Sequence, residues 1–154
     1  VRILQAVDSF KGARVYKTRG RHGSVEAYAA IGETLGEVCG VVFEHPNEKT
    51  LFIAGDTIWC EDVQKTLQAY QPGVVVMNCG DAQIPGIGSI LMGKENVLNV
   101  HEASPQSILV ASHMEAVNHC TLTRNELIAF AGANGIEDVL LVPADGEAYE
   151  FTAS

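Results

Sequence analysis

The chain has no apolar run near the roughly 18 residues that a membrane-crossing helix requires, so nothing in it reads as a transmembrane span. It lacks any C-x-x-C pair. Its four cysteines, Cys39, Cys60, Cys79 and Cys120, are scattered among mostly apolar neighbours. That spacing argues against a disulfide framework and for buried thiols in a reducing compartment, with the cytoplasm as the default location. Positive charge is scarce: 10 Lys and Arg face 19 Asp and Glu, a net charge of −9. Such a balance excludes nucleic acid or an anionic membrane as the general partner. No signal-peptide pattern opens the chain, which begins at Val1 rather than Met, as a trimmed or partial chain would. Internal repeats and low-complexity linkers are absent too. A single domain over residues 1–154 is the expectation.

What is present is enough for a proper core, since 47% of the 154 residues are hydrophobic. The charge is unevenly spread. Arg2, Lys11, Arg14, Lys17, Arg19 and Arg21 are six of the ten basic residues, and Asp8 is the one acid among the first 21. This is either a solvated strand face or an anion-attracting rim. Two short strands, Arg2–Ala6 and Ala13–Lys17, are expected around a turn at Ser9–Gly12. Residues 24–36 are small and Gly-interrupted and fit no one element. Val- and Phe-rich Glu37–His45 and the returning Thr50–Ala54 read as strands around a polar loop. A helix follows from about Glu61 to Tyr70, with acids in its first turn, Val63, Leu67 and Tyr70 on one face, and Pro72-Gly73 beyond its end. Val74–Met77 is a continuous apolar strand. Gln83–Gly93 reads as a long loop, Asn96–Glu102 as a short helix, and Ile108–Ala111 as a strand. Thr123 and Glu126 have capping-box spacing before an apolar face that Asn134-Gly135 closes. Val139–Val142 is the last buried strand, and Asp145 and Glu147 sit in a turn. Alternation of strand and helix after residue 50 makes the fold α/β.

The chemistry gathers on Leu51-Phe52-Ile53-Ala54-Gly55-Asp56-Thr57, where an apolar run stops in Gly-Asp-Thr and sets a carboxylate at a strand tip. Ligands collect at such strand ends in layered α/β proteins. Arg21-His22-Gly23 upstream and Ser112-His113 downstream bring imidazoles of the right type. Each has a plainer reading. His22 is either a ligand or an ordinary loop histidine, and Asp56 and Thr57 could cap the following turn. His113 is the better ligand candidate, because a strand end fixes its direction. His119 hydrogen-bonds either substrate or its own loop, while His45 and His101 read as surface residues. Met92 and Met114 read as packing.

Together these segments resemble the metallo-β-lactamase superfamily, in its branch of metal-dependent hydrolases with ascorbate-phosphate lactonase-like proteins. The matching pieces are His22-Gly23, the strand into Gly55-Asp56-Thr57, Val74-Val75-Val76-Met77-Asn78-Cys79-Gly80, Ser112-His113 and Pro143-Ala144-Asp145-Gly146-Glu147. The family's leading His-x-His-x-Asp-His motif is absent, for no two of the five histidines are separated by a single residue. The resemblance therefore implies the C-terminal portion of such a protein, half of an αββα sandwich: a mixed sheet with helices on one face. It further implies that His22 completes one metal site, Asp56 bridges two metals, and His113 completes the other. Imidazole and carboxylate suit zinc or manganese, and a metal-held hydroxide attacks an ester, lactone or phosphoester. Asp56 and His119 are the catalytic candidates. Three side chains leave two ions short of ligands, so the chain alone should bind metal weakly.

Two functions follow from this reading. One is part of a hydrolase for a small-molecule substrate, an anionic one being compatible, and is completed by an N-terminal portion. The other is a non-catalytic half-fold whose bare sheet face mediates assembly, as a homodimer or with a complementing N-terminal chain.

Overall fold

The computed structural model describes residues 6–115 and 117–152. Its main sheet has seven strands: β1 (Val7–Phe10), β2 (Ala13–Arg19), β3 (Cys39–Glu44), β4 (Leu51–Ile53), β5 (Val74–Asn78), β8 (Ile108–Ser112) and β9 (Leu140–Leu141), side by side in that order. Pairing is antiparallel from β1 to β4 and parallel from β4 to β9. The sheet is thus mixed, and the parallel half is the one interleaved with helices, as βαβ crossovers demand. Between β5 and β8 lies a small hairpin of β6 (Gln83–Ile84) and β7 (Gly88–Ser89), within the stretch expected to be all loop.

Register decides which face is buried. Val42, Phe52, Val75, Leu109 and Leu140 stand opposite one another across five strands, and all are at most 6% exposed. Onto this row pack Val63 and Leu67 of α2 (Glu61–Tyr70), Val97 and Val100 of α3 (Lys94–Ala103), and Leu127 and Ala131 of α4 (Arg124–Asn134). Their spacings of three and four residues are those that keep side chains on one helical face. The next row along, Val41, Ile53, Val76, Val110 and Leu141, points to the other side of the pleat. Those side chains are only half-buried, and Ile53 is 38% exposed.

Two expectations change. The strand expected over Arg2–Ala6 lies outside the described residues but for Ala6, and β1 occupies Val7–Phe10, reaching into the stretch expected to turn. The turn is Lys11-Gly12 alone, with φ of 50° and 88°, and Phe10 pairs with Ala13. Positive φ at both central residues matches the twist of the flanking strands, so two residues suffice. The ambiguous stretch from 24 to 36 forms α1 (Val25–Leu35), capped by Ser24, whose Oγ accepts from the Ala27 N–H at 3.1 Å. Ile31 breaks its helical geometry (φ −139°, ψ 20°), beside Gly32.

Candidate active site

Three sequence-distant segments meet at one edge of the sheet, where the parallel strands end. Ala54 continues β4 by donating its N–H to Val76 O (2.9 Å), and Gly55 then turns the chain with φ 72°. A Cβ at Gly55 would lie 2.7 Å from Cys39 O, so a larger residue could not make this turn against β3. Asp56 is delivered just beyond the strand tips. Its Oδ1 accepts from Asn78 Nδ2, the last side chain of β5, at 2.5 Å. Asn78 stands in register with Ser112, so the end of β5 is level with the end of β8 and with His113 beyond it.

Thr57 joins the His22 segment to this edge. The Arg21 N–H donates to Thr57 Oγ1 at 2.9 Å, and the Ile58 N–H donates to Arg21 O at 2.9 Å. The Thr57 hydroxyl, fully buried, has Ile58 O at 2.9 Å and Arg21 O at 3.2 Å within reach of its single proton. A contact over 36 positions is therefore held by one small side chain together with the Ile58–Arg21 backbone bond, and the capping role considered for Thr57 gives way to cross-segment bonding. His22 is partly buried, and its Nδ1 is enclosed with no hydrogen-bond partner among the described residues. Buried polar atoms of this kind are normally satisfied.

His113 is exposed and sits at φ 56°, a left-handed conformation sparsely used by non-glycine residues and enriched where side chains serve a site. Its backbone is held from within. The Cys120 thiol faces His113 O at 3.9 Å, and a Cβ on Gly80 would lie 2.6 Å from that same oxygen. Burial raises the Cys120 thiol above its ordinary value, and the nearby Asp56 and Asp81 carboxylates push the same way. His119 is exposed at this edge, with Nδ1 3.4 Å from Asn118 Oδ1, while its carbonyl accepts from the Gln83 N–H at 2.9 Å. Arg124 ties the surrounding loops together through Glu115 (2.6 Å), Asp145 (2.5 Å) and the Pro143 carbonyl (2.9 Å). Asp145 thus serves as more than a turn residue.

Asn78, Asp81 and Arg124 are the neighbours that sequence reasoning did not assign. Asp81 is held at φ 45° and accepts from Gln83 Nε2 at 2.8 Å. Its position straight after β5, in Asn78-Cys79-Gly80-Asp81, was the available signal. Among the described residues, no three His, Cys, Asp or Glu side chains converge as an ion requires. With one Asp56 oxygen engaged by Asn78, these residues do not complete a metal site by themselves.

No family model matches the chain. It is 43% identical over 151 residues to UPF0173 protein YddR of Bacillus subtilis (strain 168), covering 98% of this chain and 58% of that protein. Its structure superposes on isothiocyanate hydrolase from Delia radicum gut bacteria with a TM-score of 0.96 and 48% identity, over 99% of this chain and 59% of that one. A possible metal-dependent hydrolase from Veillonella parvula DSM 2008 gives 0.92 and 39% identity, over 95% and 57%. The metallo-β-lactamase fold protein YhfI of Bacillus subtilis shares the fold at a TM-score of 0.65 and 9% identity, over 96% and 54%. The chain has the metallo-β-lactamase fold. It spans less than three fifths of the length of these proteins, 54% to 59%. The mixed sheet with helices packed on it agrees with the architecture that the sequence motifs implied. Among the described residues no helix is long and apolar enough to cross a membrane.

Proposed function

We propose that this chain supplies one edge of the active site of a metal-dependent hydrolase. In this reading His22, Asp56 and His113 are its share of the ligands for divalent metal, zinc or manganese, and His119 reaches the substrate. The observation that carries it is the convergence of three segments: Thr57 binds the His22 segment to Asp56, and Asn78 binds Asp56 beside the end of β8. The reading requires further donors from outside the described residues. An ester, lactone or phosphoester fits the chemistry that such a site performs. The 48%-identical solved structure bears the name isothiocyanate hydrolase, so an isothiocyanate belongs beside them as a candidate substrate. Scattered, unpaired cysteines support a cytoplasmic setting.

The test measures zinc and manganese uptake by the purified chain and by its Asp56→Asn and His113→Ala forms. Hydrolysis of an aryl ester, an aryl phosphodiester and phenyl isothiocyanate is followed in the same samples. Weak uptake that falls in both variants is the expected result. An unchanged metal stoichiometry in His113→Ala sinks the ligand assignment.

A second reading, a non-catalytic module that assembles through its sheet, draws on one specific observation. The half-buried row from Val41 to Leu141 leaves apolar surface that a homodimer or a complementing chain would cover. Sedimentation at micromolar concentration distinguishes it: a well-behaved monomer counts against assembly.

A further inference from the structure

Two strands away from Asp56, along the same sheet edge, lies an open cleft of about 740 Å³. Its walls come from the end of β2 (Lys17, Arg19) and Arg21 just beyond it, the start of β3 (Cys39), the segment before it (Glu37), Tyr28 of α1 and Asp62 of α2. The size suits a small ligand.

The charges set this cleft apart. The chain has 10 basic residues, and three of them line this one cavity. Elsewhere basic side chains are engaged: Arg14 with Glu44, Lys65 with Glu61, Arg124 with Glu115 and Asp145, and Lys94 over the Phe130 ring. Among the described residues, Lys17, Arg19 and Arg21 form no ion pair, although Glu37 and Asp62 share the cleft and Glu26 faces Arg21 from α1. Arg21 is held hardest. Its backbone is fixed by Thr57, and its Nε is enclosed without a hydrogen-bond partner among the described residues. A guanidinium N–H removed from water and left unmatched is costly, and a bound oxyanion is the partner its forked donors fit best. Three cations against the two carboxylates Glu37 and Asp62 leave the cleft with a formal charge of +1, opposite in sign to the −9 of the whole chain, which favours anions there.

We infer that the cleft between the end of β2 and the start of β3 is an oxyanion-binding site, with Arg21 as its anchor and Lys17 and Arg19 as its outer charges. The ligand group is a phosphate or a carboxylate. The site adjoins the Asp56 edge, because the Cys39 carbonyl that backs it is the atom against which Gly55 turns. It does not depend on the hydrolase reading, since binding is measured without turnover.

Cys39, exposed in the cleft, is a built-in reporter. The rate of Cys39 alkylation by iodoacetamide is followed by peptide mass spectrometry against rising inorganic phosphate, and separately against benzoate. Sodium chloride holds ionic strength constant. Saturable protection by either anion is the expected result, phosphate indicating a phosphate group and benzoate a carboxylate. In Lys17→Gln/Arg19→Gln, both exposed positions, the protecting concentration should rise about tenfold. Arg21→Gln should do likewise, with its fold checked by circular dichroism. Arg14→Gln, on the same hairpin but outside the cleft, should leave protection unchanged. Absence of protection beyond matched chloride overturns the assignment. So does protection that survives in Lys17→Gln/Arg19→Gln, or that Arg14→Gln weakens equally.

Discussion

Replacing Thr57 with Val keeps the shape of a fully buried side chain and removes the oxygen that joins two segments 36 residues apart. In the native protein Oγ1 accepts from the Arg21 N–H at 2.9 Å and reaches Ile58 O at 2.9 Å. Valine fills the space, so no cavity term arises. The loss is that of a donor and an acceptor left without their partner, worth about 1–3 kcal/mol. Against a total stability of about 5–15 kcal/mol this is large. For a chain of this length each kcal/mol lowers Tm by about 2–4 °C, so a fall of about 4–8 °C is expected for a mid-range loss of about 2 kcal/mol. Urea unfolding followed by circular dichroism gives the equilibrium figure. Amide hydrogen exchange adds a local readout: the Arg21 N–H should exchange faster in Thr57→Val and keep its protection in Thr57→Ser, which retains the hydroxyl. A urea midpoint equal to wild type, with Arg21 exchange unchanged, would refute the reasoning. The junction between the His22 and Asp56 segments would then rest on backbone bonds alone.

The cysteines should separate by reactivity in the native state. Exposed Cys39 should react readily with an aromatic disulfide reagent, while Cys60 and Cys79 should require unfolding. Burial pushes the Cys79 thiol up to about 12 from an ordinary 9.0, so it stays protonated at neutral pH. Because its folded value is raised, the linked stability is intact below about 9 and lost as pH climbs from there towards 12. A native-state label on Cys79 at neutral pH, or urea midpoints that do not fall over that alkaline window, would contradict this. At the start of α4, Thr123 Oγ1 accepts from the Glu126 N–H while the Glu126 carboxylate accepts from the Thr123 N–H at 2.9 Å. Thr123→Ala should cost about 1 kcal/mol in urea unfolding, and Thr123→Ser little. Equal stability of the alanine form would show that the cap is idle.

How much was legible depended on how local its cause is. The α2 span from Glu61 to Tyr70 was readable because its acids, its Val63–Leu67 spacing and its Pro72-Gly73 stop all lie within a dozen residues. The α4 cap was readable for the same reason. Helix α1 was not, since its Ala and Gly content gives little periodicity and one residue, Ala27, is buried within it. The register of β1 turned on a positive φ at Lys11, which its side chain does not announce. At the candidate site, Asp56 and His113 could be picked out from strand-end positions. The partners that orient the site could not: Thr57 bonds to Arg21, and Asn78 to Asp56, across sequence separations that only the sheet closes.

The order of the strands along the sheet also bears on the order of assembly. From β1 to β5 each strand pairs with its immediate successor in sequence, across α1 between β2 and β3 and α2 between β4 and β5, whereas β8 reaches β5 only across the hairpin and α3. Longer closures carry a larger entropic toll and form later. The tips that bear Asp56 and Asn78 thus pair across a closure like that of β2 with β3, and the end of β8 that leads into His113 joins them across a longer one. A chain folded only as far as β5 would hold its basic hairpin and the Asp56–Asn78 contact, and would gain the His113 end of the candidate site with the closure of β8.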